Sequence, residues 1–180
     1  MSDQLITVFG GARVLTDDQL YADCRNLGHL LAEAGYTVAS GGYTGTMEAV
    51  LRGAAEAGGH TIGYTCTTFE ANFSRNKWVQ EERLTSCLSA RIQRLADESD
   101  AFVTVLGGLG TLAELSLVWN MMLAGEIRRR PFIVVGPAWS QVLDCLYSNT
   151  QMGSSALRIL TRVDNVNAVV AALRFSVIDN

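Results

Sequence analysis

Val105-Leu106-Gly107-Gly108-Leu109-Gly110-Thr111-Leu112-Ala113-Glu114 reads as a β-like apolar run, a glycine turn and the opening of a helix. Glycine lets backbone amides approach a ligand oxygen without a Cβ in the way. The helix that follows aims its free N–H groups and partial positive charge at the same spot. The stretch is therefore an anion site with an acid beside it, and phosphate is the natural guest.

Outward from this turn, the same strand, loop, helix order repeats along the chain. Leu5 to Phe9 is an apolar run ending at Gly10-Gly11, and Thr16-Asp17-Asp18-Gln19 reads as a capping box starting a helix that stops near Gly35. Tyr36 to Ala39 is the next strand, followed by the turn Gly41-Gly42-Tyr43-Thr44-Gly45. Met47, Val50, Leu51 and Ala54 then mark one face of a helix ending around Gly58-Gly59. Thr61 to Tyr64 is a third strand, Leu88 to Glu98 a helix, Ala101 to Leu106 a fourth strand and Leu112 to about Gly125 a helix. Pro131 to Val135, Trp139 to Tyr147, Ile159 to Val163 and Asn165 to Leu173 continue the alternation as strand, helix, strand, helix.

Apolar strands such as Phe132-Ile133-Val134-Val135 suit burial on both faces, so the order predicts an α/β fold with a doubly wound parallel sheet. Ligands of such sheets sit beyond the carboxyl ends of the strands, where the strand order switches. Three glycine-rich loops leave strands at that edge: Gly10-Gly11, Gly41 to Gly45, and Gly107 to Gly110. One crevice could collect all three. Thr65 to Thr85, with Asn72 and Ser74-Arg75-Asn76-Lys77, is the least regular segment. It is a long loop with room for a small strand near Arg83-Leu84, and loops of that length are more often functional or mobile than idle.

A length of 180 residues predicts one domain over 1–180, and 48% hydrophobic with 18% charged residues is ordinary for a folded globular chain. A net charge of −4 offers no field for a nucleic acid polymer or an anionic membrane, so phosphate recognition has to be local. Cys24, Cys66, Cys87 and Cys145 are scattered singly, without zinc or redox spacing, as suits a reducing compartment. Met1-Ser2-Asp3-Gln4 carries no basic leader and no apolar run is long enough to span a bilayer. A cytoplasmic protein is expected.

Several chemistries are disfavoured by what the turns lack. Gly107-Gly108-Leu109-Gly110-Thr111 has no Lys before its hydroxyl, which argues against a nucleoside triphosphatase loop. Gly10-Gly11-Ala12-Arg13 lacks a third glycine and no acidic residue closes the second strand, which argues against a dinucleotide site. What remains is a site for a single phosphate, made by the amides of Gly108 to Thr111 and the Thr111 hydroxyl. Glu114, three residues after Thr111, would either complete a reciprocal capping box or serve chemistry beside the phosphate. Arg91 lies upstream with Arg94 three residues on, near it on the helix surface. His29 and His60 are isolated, Arg128-Arg129-Arg130 reads as a solvated turn, and Trp119, Met121 and Met122 suit core packing or a subunit interface.

Arg91, then Ser99-Asp100-Ala101-Phe102-Val103-Thr104-Val105, then Gly107 to Glu114, together with Gly41-Gly42-Tyr43-Thr44-Gly45-Thr46-Met47, resembles the LOG ("lonely guy") family from about Val8 to Val135. The resemblance implies a Rossmann-like fold, a homodimer, and a phosphoribohydrolase that cleaves the N-glycosidic bond of a nucleoside 5′-monophosphate such as AMP or a cytokinin nucleotide. Base and ribose 5-phosphate would be released. It places the catalytic pair on Arg91 and Glu114, and the phosphate-binding residues on Gly107, Gly108, Gly110 and Thr111. Gly41, Gly42, Gly45 and Thr46 join them as candidate nucleotide-binding residues.

Leu106 stands where that family usually has proline, Ala113 where it has a first glutamate, and Leu88 and Ile92 where methionine and lysine flank the arginine. The residues fit the reaction on their own terms. A carboxylate can stabilise oxocarbenium character at C1′ and orient or deprotonate water, and a guanidinium is a rigid, always-charged fork. No metal or redox cofactor is implied. The rival reading is a non-catalytic nucleotide or molybdenum-cofactor binding or carrier protein on the same fold, with a sensor of a nucleotide-derived signal behind it. Amino-acid decarboxylation ranks last, because no lysine in a pyridoxal-phosphate context is apparent.

Overall fold

In the computed structural model, residues 4–70 and 73–176 are described; Asn72 and Met1 to Asp3 lie outside them. Seven strands, β1 (Leu5–Phe9), β2 (Thr37–Ser40), β3 (Thr61–Cys66), β4 (Glu81–Thr85), β5 (Ala101–Thr104), β6 (Phe132–Val135) and β7 (Leu160–Val163), pair in parallel throughout. Their order across the sheet is β4-β3-β2-β1-β5-β6-β7. The helices are α1 (Gln19–Glu33), α2 (Thr46–Glu56), α3 (Thr67–Glu70), α4 (Leu88–Glu98), α5 (Leu109–Ala124), α6 (Pro137–Asn149), α7 (Ser154–Leu157) and α8 (Val169–Ser176), with a 3₁₀ turn at Val166–Ala168.

Strand side chains alternate between two apolar layers, as a pleated sheet covered on both faces requires. Ile6, Val8, Val38, Val103 and Ile133 pack with Leu27 of α1, Val50 of α2 and Leu173 of α8. Phe9, Tyr64, Phe102, Phe132 and Val134 pack on the other side with Leu95 of α4, Leu115 of α5 and Leu143 of α6. There Phe9 stacks on Phe102 at 5.8 Å between ring centroids, and Phe102 meets Phe132 at 5.3 Å. Trp119, Met121 and Met122 belong to this second layer. No helix among the described residues is long and apolar enough to cross a membrane.

Several details differ from the sequence expectation, each for a physical reason. The capping box at Thr16 to Gln19 does not form: Asp18 is the N-cap of α1, and its carboxylate accepts from the Leu15 N–H at 2.8 Å instead. The irregular segment holds a complete edge strand, β4, whose five residues pair with Ile62 to Cys66. Glu81-Glu82-Arg83 carry no apolar run because edge strands are commonly charged, which discourages pairing with other chains. Arg130 is not merely solvated: its guanidinium donates to the carbonyls of Ala96, Asp97 and Ser99, closing the carboxyl end of α4. Its companion Arg128 pairs with Asp100 at 3.2 Å.

The sheet reverses its order at β1, which has β2 on one side and β5 on the other. Chain leaving β1 and chain leaving β5 therefore diverge around a crevice, the place where such sheets bind ligands. The two exits touch, since a Cβ on Gly11 would stand 3.2 Å from the Gly107 Cα.

Candidate active site

A cleft of about 760 Å³ opens at this reversal. Its floor is the Gly10-Gly11 turn after β1 and the Leu106 to Gly108 turn after β5. Both turns are pinned from behind. The Trp139 indole N–H donates to the Val105 carbonyl at 3.0 Å, and Thr46 donates to the Gly11 carbonyl through its N–H at 2.9 Å and its hydroxyl at 3.1 Å.

The helix α5 starts at Leu109, three residues earlier than the sequence suggests, with Gly108 as its N-cap. The first intrahelical bond runs from the Leu112 N–H to the Gly108 carbonyl at 3.0 Å. The N–H groups of Leu109, Gly110 and Thr111 precede it, and no side chain caps them. No acidic residue lies in that first turn. Glu114 therefore falls in the second turn, and the capping-box alternative does not hold.

Glu114 instead meets Arg91. Arg91 comes from α4, and its Nη2 donates to Glu114 Oε1 at 2.6 Å, both side chains 7% exposed. The guanidinium stands over the Phe69 ring, 5.5 Å from its centroid. Arg91 Nε is buried with no hydrogen-bond partner. Burial pushes the Glu114 carboxyl up to about 7, against the pull of the Arg91 charge and hydrogen bond. The site thus holds a carboxyl that can change protonation near neutrality, in contact with a guanidinium. Arg94, by contrast, is outside the site and pairs with Glu98 at 2.7 Å.

Of the candidates from the sequence, Arg91, Glu114, Gly107, Gly108, Gly110 and Thr111 come together on the cleft wall. The second glycine loop reaches the cleft through Tyr43 and Met47, not through its glycines or Thr46. Gly41 backs the arginine, since a Cβ there would lie 3.2 Å from Arg91 Nη1. Gly42, Gly45 and Thr46 face protein, and the Thr46 hydroxyl is engaged with Gly11. Among the departures from the LOG pattern, Leu106 is 47% exposed on the cleft rim, and Ile92 and Leu88 are absorbed by the core layer around α4.

Sequence reasoning missed the aromatic wall of Tyr43, Phe69 and Phe73, and the cation Arg13 at the exit of β1. The only signal for the wall was the length of the irregular segment. Arg13 was visible but had no motif to single it out. Among the described residues no group of three or more His, Cys, Asp or Glu side chains could hold a metal ion.

Known proteins resemble this chain in both fold and sequence. It is 29% identical over 166 residues to the cytokinin riboside 5′-monophosphate phosphoribohydrolase of Mycobacterium tuberculosis, covering 87% of each chain. The molybdenum cofactor binding protein of Rippkaea orientalis superposes with a TM-score of 0.75 at 25% identity, over 99% of each chain. The molybdenum cofactor carrier protein of Chlamydomonas reinhardtii shares the fold, with a TM-score of 0.75 at 23% identity over 98% of this chain and 99% of that one. The sequence profile of the SLOG cluster4 family matches residues 3–169, and the chain belongs to that family.

Proposed function

We propose that this protein hydrolyses the N-glycosidic bond of a nucleoside 5′-monophosphate, AMP or a cytokinin nucleotide, giving free base and ribose 5-phosphate. The observation that carries the reading is the buried Arg91–Glu114 pair at 2.6 Å, on the same cleft as the uncapped first turn of α5. In this reading the 5′-phosphate sits on the amides of Leu109 to Thr111, with the Thr111 hydroxyl and Arg13 beside it. Gly108 and Gly110 leave room for its oxygens, while Gly107 lets the turn pack against Thr111 and Gly11. Binding energy from this remote group positions C1′, so a monophosphate is favoured over a free nucleoside.

The carboxylate form of Glu114 faces C1′. As the C1′–N bond breaks, its electron pair leaves with the base, and positive charge grows on the ribose. Glu114 stabilises that charge and takes a proton from the attacking water, whose oxygen forms the new bond to C1′. The departing base takes a proton from solvent, and Glu114 returns its own to solvent, which restores the carboxylate. Arg91 keeps the carboxylate in register. A carboxyl that titrates near 7 is well placed for this work, and kcat/KM should rise with pH through about 7 as Glu114 loses its proton.

The relative from Mycobacterium tuberculosis, named for this reaction, supports the hydrolase reading. A carrier of molybdenum cofactor is the second reading, favoured by the 25% identity to the Rippkaea orientalis protein along its whole length. It ranks lower because a carrier has no use for a buried carboxylate poised at neutrality. The proposal includes a homodimer in the cytoplasm. Exposed leucines of α5 support the dimer, for Leu117 and Leu123 are 41% and 43% exposed beside the polar Ser116 and Asn120.

Incubation of the purified protein with AMP or a cytokinin riboside 5′-monophosphate, followed by chromatography for free base, tests the reading. Glu114→Gln should lower kcat by about 10²- to 10⁴-fold with ligand binding kept. Tight nucleotide or cofactor binding without turnover in the wild type would move the assignment to the carrier. Unchanged turnover in Glu114→Gln would remove the carboxylate from the mechanism.

A further inference from the structure

The Arg91–Glu114 contact is a single hydrogen bond, from Nη2 to one carboxylate oxygen, and Arg91 Nε makes none. One such bond fixes a distance but leaves a planar guanidinium free to pivot about it, unlike a two-point fork. Something else must set its plane. The ring of Phe69 is in place to do so, 5.5 Å from the guanidinium carbon and within the range of a cation–π contact.

That ring is itself braced. Tyr43 meets it edge-on at 5.9 Å and 88°, and Phe73 at 6.4 Å and 84°. Tyr43 is anchored at its far end, where the hydroxyl accepts from the Cys66 N–H at 2.9 Å and donates to the Cys66 carbonyl at 3.2 Å. A rigid line of contacts thus runs from the end of β3 through two aromatic rings to the guanidinium.

We propose that Phe69 is a positioning residue, whose ring face holds Arg91 in the orientation that presents Glu114 to the ligand. Its kinetic consequence rests on the hydrolase reading; its mechanical consequence does not. Phe69 acts through Arg91 and touches no reacting atom.

Phe69→Leu keeps bulk but loses the π face, and Phe69→Trp keeps the face. In the ligand-free protein, ¹⁵N relaxation at the Arg91 Nε–H should show a held side chain in the wild type and in Phe69→Trp, and a mobile one in Phe69→Leu. With AMP, Phe69→Leu should lose about tenfold in kcat with KM changed less than about twofold, as loss of one cation–π contact implies, and Phe69→Trp should recover most of the rate. Unchanged Arg91 order in Phe69→Leu overturns the proposal. So does a higher KM at constant kcat, which would place the ring against the ligand instead. Absence of turnover in the wild type would defeat the hydrolase reading while leaving the relaxation measurement to decide on Phe69.

Discussion

The two glycine turns that follow β2 and β5 look alike in sequence, yet the protein uses them differently. In the turn before α2, glycine is demanded by the chain itself. Gly45 has φ +69°, where other residues are strained, and a Cβ on it would collide with the main chain of Gly11 and Ala12. Thr46 ties this turn to Gly11, and Glu48 in the first turn of α2 answers the helix dipole. In the turn before α5, Gly108 and Gly110 have negative-φ or helical backbone, and a Cβ on either would meet nothing within 4 Å. Among the described residues nothing fills that space, caps those amides or offsets that dipole. Glycine serves the fold at Gly45, as it does at Gly107, and leaves room for a guest at Gly108 and Gly110.

The sharpest way to break this contrast is Gly45→Ala. Backbone strain alone costs about 1–3 kcal/mol, and with the clash the loss in denaturant unfolding should reach about 3 kcal/mol or more. Gly110→Ala should do the opposite to stability. It lies in a helix with open space around it, so its melting temperature should hold or rise, while ribose 5-phosphate binding by calorimetry weakens about tenfold. A destabilised Gly110→Ala would end the distinction. Next in size, Thr46→Val removes a hydroxyl bonded to Gly11 and should lower stability by about 1 kcal/mol without changing phosphate affinity.

A last test, read against pH, concerns the acid of α5. The folded Glu114 carboxyl titrates at about 7 against an ordinary value of 4.5, so the unfolded chain releases that proton first as pH rises. The stability Glu114 contributes is complete below the ordinary value and is lost as pH climbs to about 7. Unfolding of the wild type should show this decline, and Glu114→Gln should flatten it.

The alternation of strands and helices was legible because buried parallel strands are short apolar runs separated by glycines, as in Phe132 to Val135. β4 was only half legible, since a charged edge strand declares itself by pairing, not by hydrophobicity. The start of α5 was placed late because Leu109 and Gly110 look like turn, and only the bond from the Leu112 N–H to the Gly108 carbonyl makes them helical. Arg91 and Glu114 lie 23 positions apart, and no periodicity brings them together. Their pairing was legible through family resemblance alone. Phe69 was hidden for a different reason: an aromatic in an irregular segment shows no pattern until its neighbours in space are known.

Arg91 rides on the helix that carries the chain from the outermost strand back to the middle of the sheet, passing β3, β2 and β1 on the way. At its far end Glu98 takes hydrogen bonds from Tyr64 of β3 and Arg83 of β4, while Arg130 grips the terminal carbonyls. The border of the sheet and its most guarded ion pair are thus opposite ends of one lever. The helix that delivers one half of that pair is moored at its other end to the border strands.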